Sequence, residues 1–178
     1  YQELKISLAS EGGSSTVSTH IKAGDSPFEM YEKVCNDIYC ALEMTKKSLS
    51  PESLYLAAQK ISSAKRIAIF GLGNSASVAM DAGHKFLRAG LNAVSYSDNH
   101  MQVIAASHLT DEDAAIAISH SGSSKDIIDA LQIARDHGAA TITITNAGKS
   151  PILKYSDIVL NTSAMETRYN ILALNSRI

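Results

Sequence analysis

From Arg66 onward the chain alternates short apolar runs with longer stretches of helical period. The runs at 66–70, 93–96, 114–118, 141–145 and 158–160 are almost unbroken series of apolar or β-branched residues, as in Ala114-Ala115-Ile116-Ala117-Ile118 and Thr141-Ile142-Thr143-Ile144. Such runs predict strands of a parallel sheet covered on both faces. Most of the stretches between them read as helices, and Gly90 and Gly138 stand where a helix takes its C′ glycine. Upstream, Ser26-Pro27-Phe28-Glu29 matches a capping box with proline at the first helical position, which predicts a helix to about Ser48. Ser50-Pro51-Glu52 opens a second helix, with Leu54, Ala57, Ala58 and Ile61 at helical spacing. The pattern predicts an α/β fold: a five-stranded parallel sheet, doubly wound and flavodoxin-like, preceded by a helical arm. Met30, Tyr31, Val34, Ile38, Tyr39 and Leu42 form an apolar stripe on that arm. Its length relative to the core predicts packing on a second subunit, so a homodimer or tetramer is expected.

Two serine-rich loops follow predicted strands and lead into predicted helices. The first is Gly71-Leu72-Gly73-Asn74-Ser75, and the second is Ser119-His120-Ser121-Gly122-Ser123-Ser124. A helix N-terminus has free N–H groups and a partial positive charge, which suit an anion. Serine hydroxyls add neutral donors, and glycines let the backbone come close. If the strand order is 2-1-3-4-5, both loops meet at the switch point between strands 1 and 3. Together they read as one cradle for the phosphate of a small metabolite.

Bulk properties narrow the classes. The chain has 178 residues, enough for one α/β domain, with 45% hydrophobic and 19% charged residues. A net charge of −2 and a pI near 6.3 give no basic footprint for DNA or for an anionic membrane. No apolar stretch reaches the roughly 18 residues that span a bilayer, and no signal peptide is visible. Cys35 and Cys40 lie in one predicted helix without CxxC or metal-ligand spacing, and the six histidines are scattered. No metal or other cofactor is expected, and a cytoplasmic location is.

The two loops carry a resemblance. Ser119-His120-Ser121-Gly122-Ser123-Ser124 resembles the Ser-x-Ser-Gly-x-Ser/Thr phosphate loop of the sugar isomerase (SIS) domain, a phosphosugar-binding module, and the likeness runs from about Pro51 to Ile178. It implies phosphate contacts at Ser119, Ser121 and Ser124, with Ser75 as the serine of the first loop. Gly71-Leu72-Gly73-Asn74-Ser75-Ala76 and Ser119-His120-Ser121-Gly122 are also similar to the sensor domain of RpiR-type bacterial transcription regulators. Tyr1-Gln2-Glu3-Leu4-Lys5-Ile6 looks like the last helix of their helix-turn-helix domain. That resemblance implies an effector domain without catalysis, in which a sugar phosphate modulates DNA binding by an N-terminal domain. Residues 1–25 are then expected to be the tail of that domain plus a Gly/Ser/Thr-rich linker, and 26–178 the SIS domain. The start at Tyr1 and a helical pattern still running at Leu172–Ile178 predict a piece of a longer protein.

Competing assignments remain open at this stage. The main alternative is an SIS-type isomerase or lyase. Glu166 follows the last strand, where catalytic SIS domains place glutamates, but a capping or hydroxyl-binding carboxylate fits as well, and no Glu/His pair stands out. Gly71-x-Gly73-x-x-Ala76 also matches a dinucleotide fingerprint, with Asp98 placed to hold a ribose hydroxyl. That assignment leaves the second loop without a task. A P-loop is excluded, because no Gly-Lys-Ser/Thr follows. Lys125 and Asp126 fit a solvated first turn better than phosphate contacts. His84, Lys85 and Arg88 fit a solvated face, and Asn99 and His100 an ordinary polar loop. His120 either faces the crevice or lends only its backbone. Gly73, Asn74, Gly122 and Glu166 complete the expected ligand-binding set.

Overall fold

The computed structural model describes residues 21–22, 24–146 and 148–163. Expectations for residues 1–20, for Glu166 and for the helical pattern at 172–178 lie outside the described residues. The order of elements is α1 (Pro27–Ser48), α2 (Pro51–Ser63), β1 (Ile67–Gly71), α3 (Asn74–Arg88), β2 (Ala93–Tyr96), α4 (Asn99–Ser107), β3 (Ala114–Ile118), α5 (Lys125–Asp136), β4 (Ala140–Asn146), a 3-10 helix (Pro151–Tyr155) and β5 (Ile158–Thr162).

The helices start and stop as their sequences dictate. Ser26 Oγ accepts from the Glu29 N–H at 3.3 Å, and the Glu29 carboxylate accepts from the Ser26 N–H at 2.7 Å, so the capping box is complete. Ser50 caps α2 through the Ser53 N–H at 3.2 Å. Helix α3 ends at Gly90 in a Schellman motif, in which the Gly90 and Leu91 N–H groups donate to the Leu87 and Phe86 carbonyls. Gly138 closes α5 by the same pair of bonds, to Arg135 and Ala134.

All sheet pairings are parallel and the order is β2-β1-β3-β4-β5. Each central strand sorts its side chains by parity. Ile67 and Ile69 of β1 join Ile116 and Ile118 of β3 on one face, under α2 and α3, with Ala57, Val78 and Ala79. Ala68, Phe70, Ala115 and Ala117 form the other face, under α4 and α5, with Ala106, Ile127 and Leu131. Because α3 and α4 cover opposite faces, the chain reverses direction between β1 and β3, and a crevice opens at their carboxyl ends.

Strand β4 alternates threonine and isoleucine, its three threonines are buried, and each of their hydroxyls is bonded. Thr141 donates to the Asp157 carboxylate at 2.7 Å, Thr143 pairs with Ser156 at 2.6 Å, and Thr145 donates to the His120 carbonyl at 3.3 Å. At the opposite end of the sheet, Asp113 is buried and accepts from the Arg66 guanidinium at 2.6 and 3.2 Å and from the Thr110 N–H and hydroxyl. Burial pushes the Asp113 carboxyl up, but the Arg66 and Thr110 bonds outweigh it and hold it below its ordinary value.

The arm α1 is tied at its C-terminal end. Thr45 exchanges hydrogen bonds with the Ser163 backbone, and Ser48 donates to the Asn161 carbonyl at 3.3 Å. Its apolar stripe divides: Met30, Val34 and Ile38 are half-buried, whereas Tyr31 (64%), Tyr39 (67%) and Leu42 (43%) are exposed beside Phe28 (67%).

Candidate functional site

The two serine loops meet at the switch point. They border a crevice of about 250 Å³ lined by Asn74, Ser75, Ser119, His120, Ser121 and Ser124 over an apolar floor of Leu72, Ile118 and Ile127. Among the described residues no Asp, Glu, Lys or Arg side chain lines it. A groove of about 270 Å³ lies on the β2 side, lined by Val94, Met101, Ile104 and Leu109 with Arg66 and Asn92 at its rim. That groove is mostly apolar; Tyr96 and His108 also line it, and its Arg66 and Asn92 side chains already donate to Asp113, the His108 carbonyl and the Lys65 carbonyl. The crevice is therefore the candidate site.

The first loop is shaped by close approach. Gly71 ends β1 with its Cα so near the first turn of α3 that a Cβ there would lie 2.5 Å from the Ser75 carbonyl oxygen. Gly73 is the N-cap of α3, with φ of 55° and no side-chain cap. It is exposed and does not itself line the crevice, whereas the next two residues, Asn74 and Ser75, do. Ser75 is buried, and its N–H donates to the Leu72 carbonyl at 3.0 Å.

The second loop is gripped from the β4 side. The Ser119 N–H donates to the Ile144 carbonyl, the Asn146 N–H to the His120 carbonyl, and the Ile152 N–H to the Gly122 carbonyl, all at 3.0–3.1 Å. Gly122 is buried with φ of 59°, and a Cβ there would lie 2.4 Å from Ser150 Oγ. Gly122 therefore supports the loop from behind and does not line the crevice. Ser121 Oγ accepts from the Ser123 hydroxyl at 2.8 Å. Ser121 is exposed, Ser119 is buried, and His120 is half-buried with its residue on the crevice wall.

The caps set these two helices apart. Helices α1, α2 and α4 are capped by their own side chains, from Ser26, Ser50 and Asp98. Helices α3 and α5, the two that point their N-termini into the crevice, have N-caps Gly73 and Ser124 without a side-chain cap bond. Neither helix has the side-chain acceptor that the others have, although in α3 the Ser75 and Ala76 N–H groups donate to the Leu72 and Gly73 carbonyls, and both helix dipoles present their positive ends to the same space. An anion in the crevice would supply that acceptor.

The other candidates sort accordingly. Asp98 Oδ1 accepts from the Met101 N–H at 3.0 Å and caps α4, which gives its carboxylate a structural task in place of a ribose contact. Lys125 and Asp126 are exposed in the first turn of α5 and do not line the crevice. His84, Lys85 and Arg88 are exposed, and Lys85 pairs with Asp81 at 2.7 Å. Glu166 lies outside the described residues. Among the described residues no group of three His, Cys, Asp or Glu side chains could hold a metal ion, and no helix is long and apolar enough to cross a membrane.

Comparison with known proteins gives the family and the fold. An uncharacterized HTH-type transcriptional regulator of Caldanaerobacter subterraneus subsp. tengcongensis is 36% identical over all of this chain, and one of Clostridium perfringens is 31% identical. The chain spans 64% and 65% of the lengths of those two relatives. A bifunctional protein glk of Paraburkholderia xenovorans is 31% identical over 99% of the chain and 27% of its own length. Among solved structures, the NanR protein of Vibrio vulnificus complexed with ManNAc-6P superposes with a TM-score of 0.78 at 25% identity, over 87% of this chain and 57% of that one. The sugar isomerase domain of an RpiR transcription factor from Sphaerobacter thermophilus shares the fold, with a TM-score of 0.75 at 23% identity over 83% of this chain and 86% of that one. Residues 60–177 match the model of the SIS domain, and the chain belongs to that family.

Proposed function

We propose that this chain is the phosphosugar-sensing effector domain of a DNA-binding transcription regulator and is not itself an enzyme. The observation that carries the reading is the pair of uncapped helix N-termini, α3 and α5, facing one serine-lined crevice. In this reading the Ser75, Ser119, Ser121 and Ser124 hydroxyls donate to the phosphate, together with those first-turn N–H groups that do not already donate to a backbone carbonyl, as Ser75 and Ala76 do. Gly73 and Gly122 give the backbone its approach. Asn74 and His120 face the remainder of the ligand, and Glu166 contributes at its sugar end. No Asp, Glu, Lys or Arg side chain among the described residues lines the crevice, so recognition rests on oriented dipoles.

DNA binding belongs, in this proposal, to a helix-turn-helix domain that residues 1–25 connect to the effector domain. The names of the two regulator relatives support that role, as does the sugar phosphate in the NanR complex. The exposed aromatic stripe of α1 would pair with a second copy. Ligand in the crevice could then bias the spacing of two attached DNA-binding domains, provided that it binds one arrangement more tightly than the other.

The test is a thermal-shift panel of sugar phosphates beside the same sugars without phosphate. Only phosphorylated members should raise the Tm, and product analysis by NMR should find no turnover. Conversion at an enzymatic rate, lost in Glu166→Gln, would replace the sensor with an SIS isomerase or lyase.

A further inference from the structure

Gln102 is an amide at a position where an apolar side chain would be expected. It lies on α4, fully buried, against the ends of β1 and β2 beside the first serine loop. Its Nε2 donates to the Tyr96 carbonyl at 2.8 Å and to the Gly71 carbonyl at 3.2 Å. Both neighbours are acceptors, which fixes the amide with nitrogen toward them. Its Oε1 is buried without a hydrogen-bond partner among the described residues. Filling space alone would not require that cost, and leucine or methionine would fill it without an orphaned acceptor.

The two bonds fall where the sheet stops. Pairing of β1 with β2 ends at Phe70↔Tyr96, whereas pairing of β1 with β3 continues to Gly71↔Ile118. On the β2 side, the Gly71 carbonyl lies one residue past the last pair. The Gln102 amide bridges it to the carbonyl that ends β2, adding a rung beyond the ladder. Gly71 in turn stands so close to the Ser75 backbone that a Cβ on it would lie 2.5 Å from the Ser75 carbonyl oxygen, so a shift of Gly71 toward α3 presses on Ser75.

We propose that Gln102 is a positioning residue of the anion site. It fixes Gly71, and through Gly71 it sets where Ser75 and the N-terminus of α3 stand across the crevice. The second loop is held by its own bonds to β4 and the 3-10 helix, so the effect is confined to the first. The inference rests on the crevice being the ligand site.

The test is Gln102→Met, which keeps the length and removes the donor. In the free protein, amide hydrogen exchange should quicken at 72–76 and stay unchanged at 119–124. With inorganic phosphate and N-acetylmannosamine 6-phosphate as probes, calorimetry should show affinity falling about twofold to tenfold, the worth of one or two neutral hydrogen bonds. The loss should couple to Ser75→Ala and add independently to Ser121→Ala. Unchanged exchange at 72–76, or equal additivity with both serines, would overturn the proposal. If the wild-type protein bound neither probe, the reading of the crevice would fail, while the exchange result would still decide the role of Gln102. Should Gln102→Met fail to fold, Gln102→Asn, which keeps a buried amide one methylene too short to reach, is read in the same way.

Discussion

Replacing Gly122 with alanine separates two costs that the structure keeps distinct. The first is backbone strain. With φ of 59°, Gly122 is in the left-handed region, where an L side chain costs about 1–2 kcal/mol. The second is overlap. The new Cβ would stand 2.4 Å from Ser150 Oγ, 2.7 Å from Ser150 Cβ and 2.9 Å from Ile152 Cγ2. The backbone around Ile152 is anchored to the Gly122 carbonyl, so the neighbours cannot simply swing away, and overpacking adds about 1–3 kcal/mol. Gly73, with φ of 55° and ψ of −128°, is also in a backbone conformation that favours glycine, but nothing lies within 4 Å of its added Cβ, so Gly73→Ala carries strain without overlap. Urea unfolding should therefore show Gly122→Ala to lose the overlap cost of about 1–3 kcal/mol in excess of its backbone strain. That excess corresponds to roughly 2–12 °C in Tm for a domain of this size. Ser150→Gly removes the two nearest obstacles, so in the Gly122→Ala background it should recover part of the excess. Absence of coupling between Gly122→Ala and Ser150→Gly, beside Gly73→Ala with no coupling expected, would refute the packing described behind the second loop.

Further outcomes follow from other parts of the molecule. Asp113 is held below its ordinary pKa of 3.8 in the folded state, so its contribution is present above that pH and is lost as pH falls through the lowered folded value. Asp113→Asn should cost about 1.5–3 kcal/mol at neutral pH, with the gap to wild type closing in acid, as unfolding titrations would record. The half-exposed Arg66 can hydrate once its partner is gone, which keeps the cost below that of a fully buried pair. Light scattering should find an oligomer at micromolar concentration that Tyr31→Glu with Tyr39→Glu dissociates, since both side chains lie exposed on α1. A monomeric wild type would remove the arm's proposed role.

Much of the frame was legible because burial on both faces leaves a simple mark. The strand runs needed only their apolar continuity, and the five observed strands differ from the expected bounds by two residues at most. The order β2-β1-β3-β4-β5 was an assumption, since sequence alone does not give it, and the structure has that order. The caps at Ser26 and Ser50 and the glycines after α3 and α5 are local signals, read within four residues. What could not be read depends on partners far away in the chain. Gln102 reads as an ordinary helical polar residue until Gly71, 31 positions away, is placed against it. Likewise, Ile152 and Ser150 give no sign that they hold Gly122. Asp98 read as a ribose ligand or part of an ordinary polar loop, and its capping of α4 was missed, because the same carboxylate at a strand end suits either task. The division of the α1 stripe into covered and exposed halves needed the packing itself.

The most direct test of the central claim is calorimetric titration of N-acetylmannosamine 6-phosphate, beside N-acetylmannosamine, into the wild-type protein, Ser75→Ala and Ser121→Ala. The account predicts binding of the phosphorylated sugar alone. Each serine variant should lose one charge-assisted hydrogen bond worth roughly 1.5–3 kcal/mol, or about 10- to 150-fold in affinity. Equal binding of both sugars, or variants from the two loops that bind like wild type, would contradict a phosphate held between them.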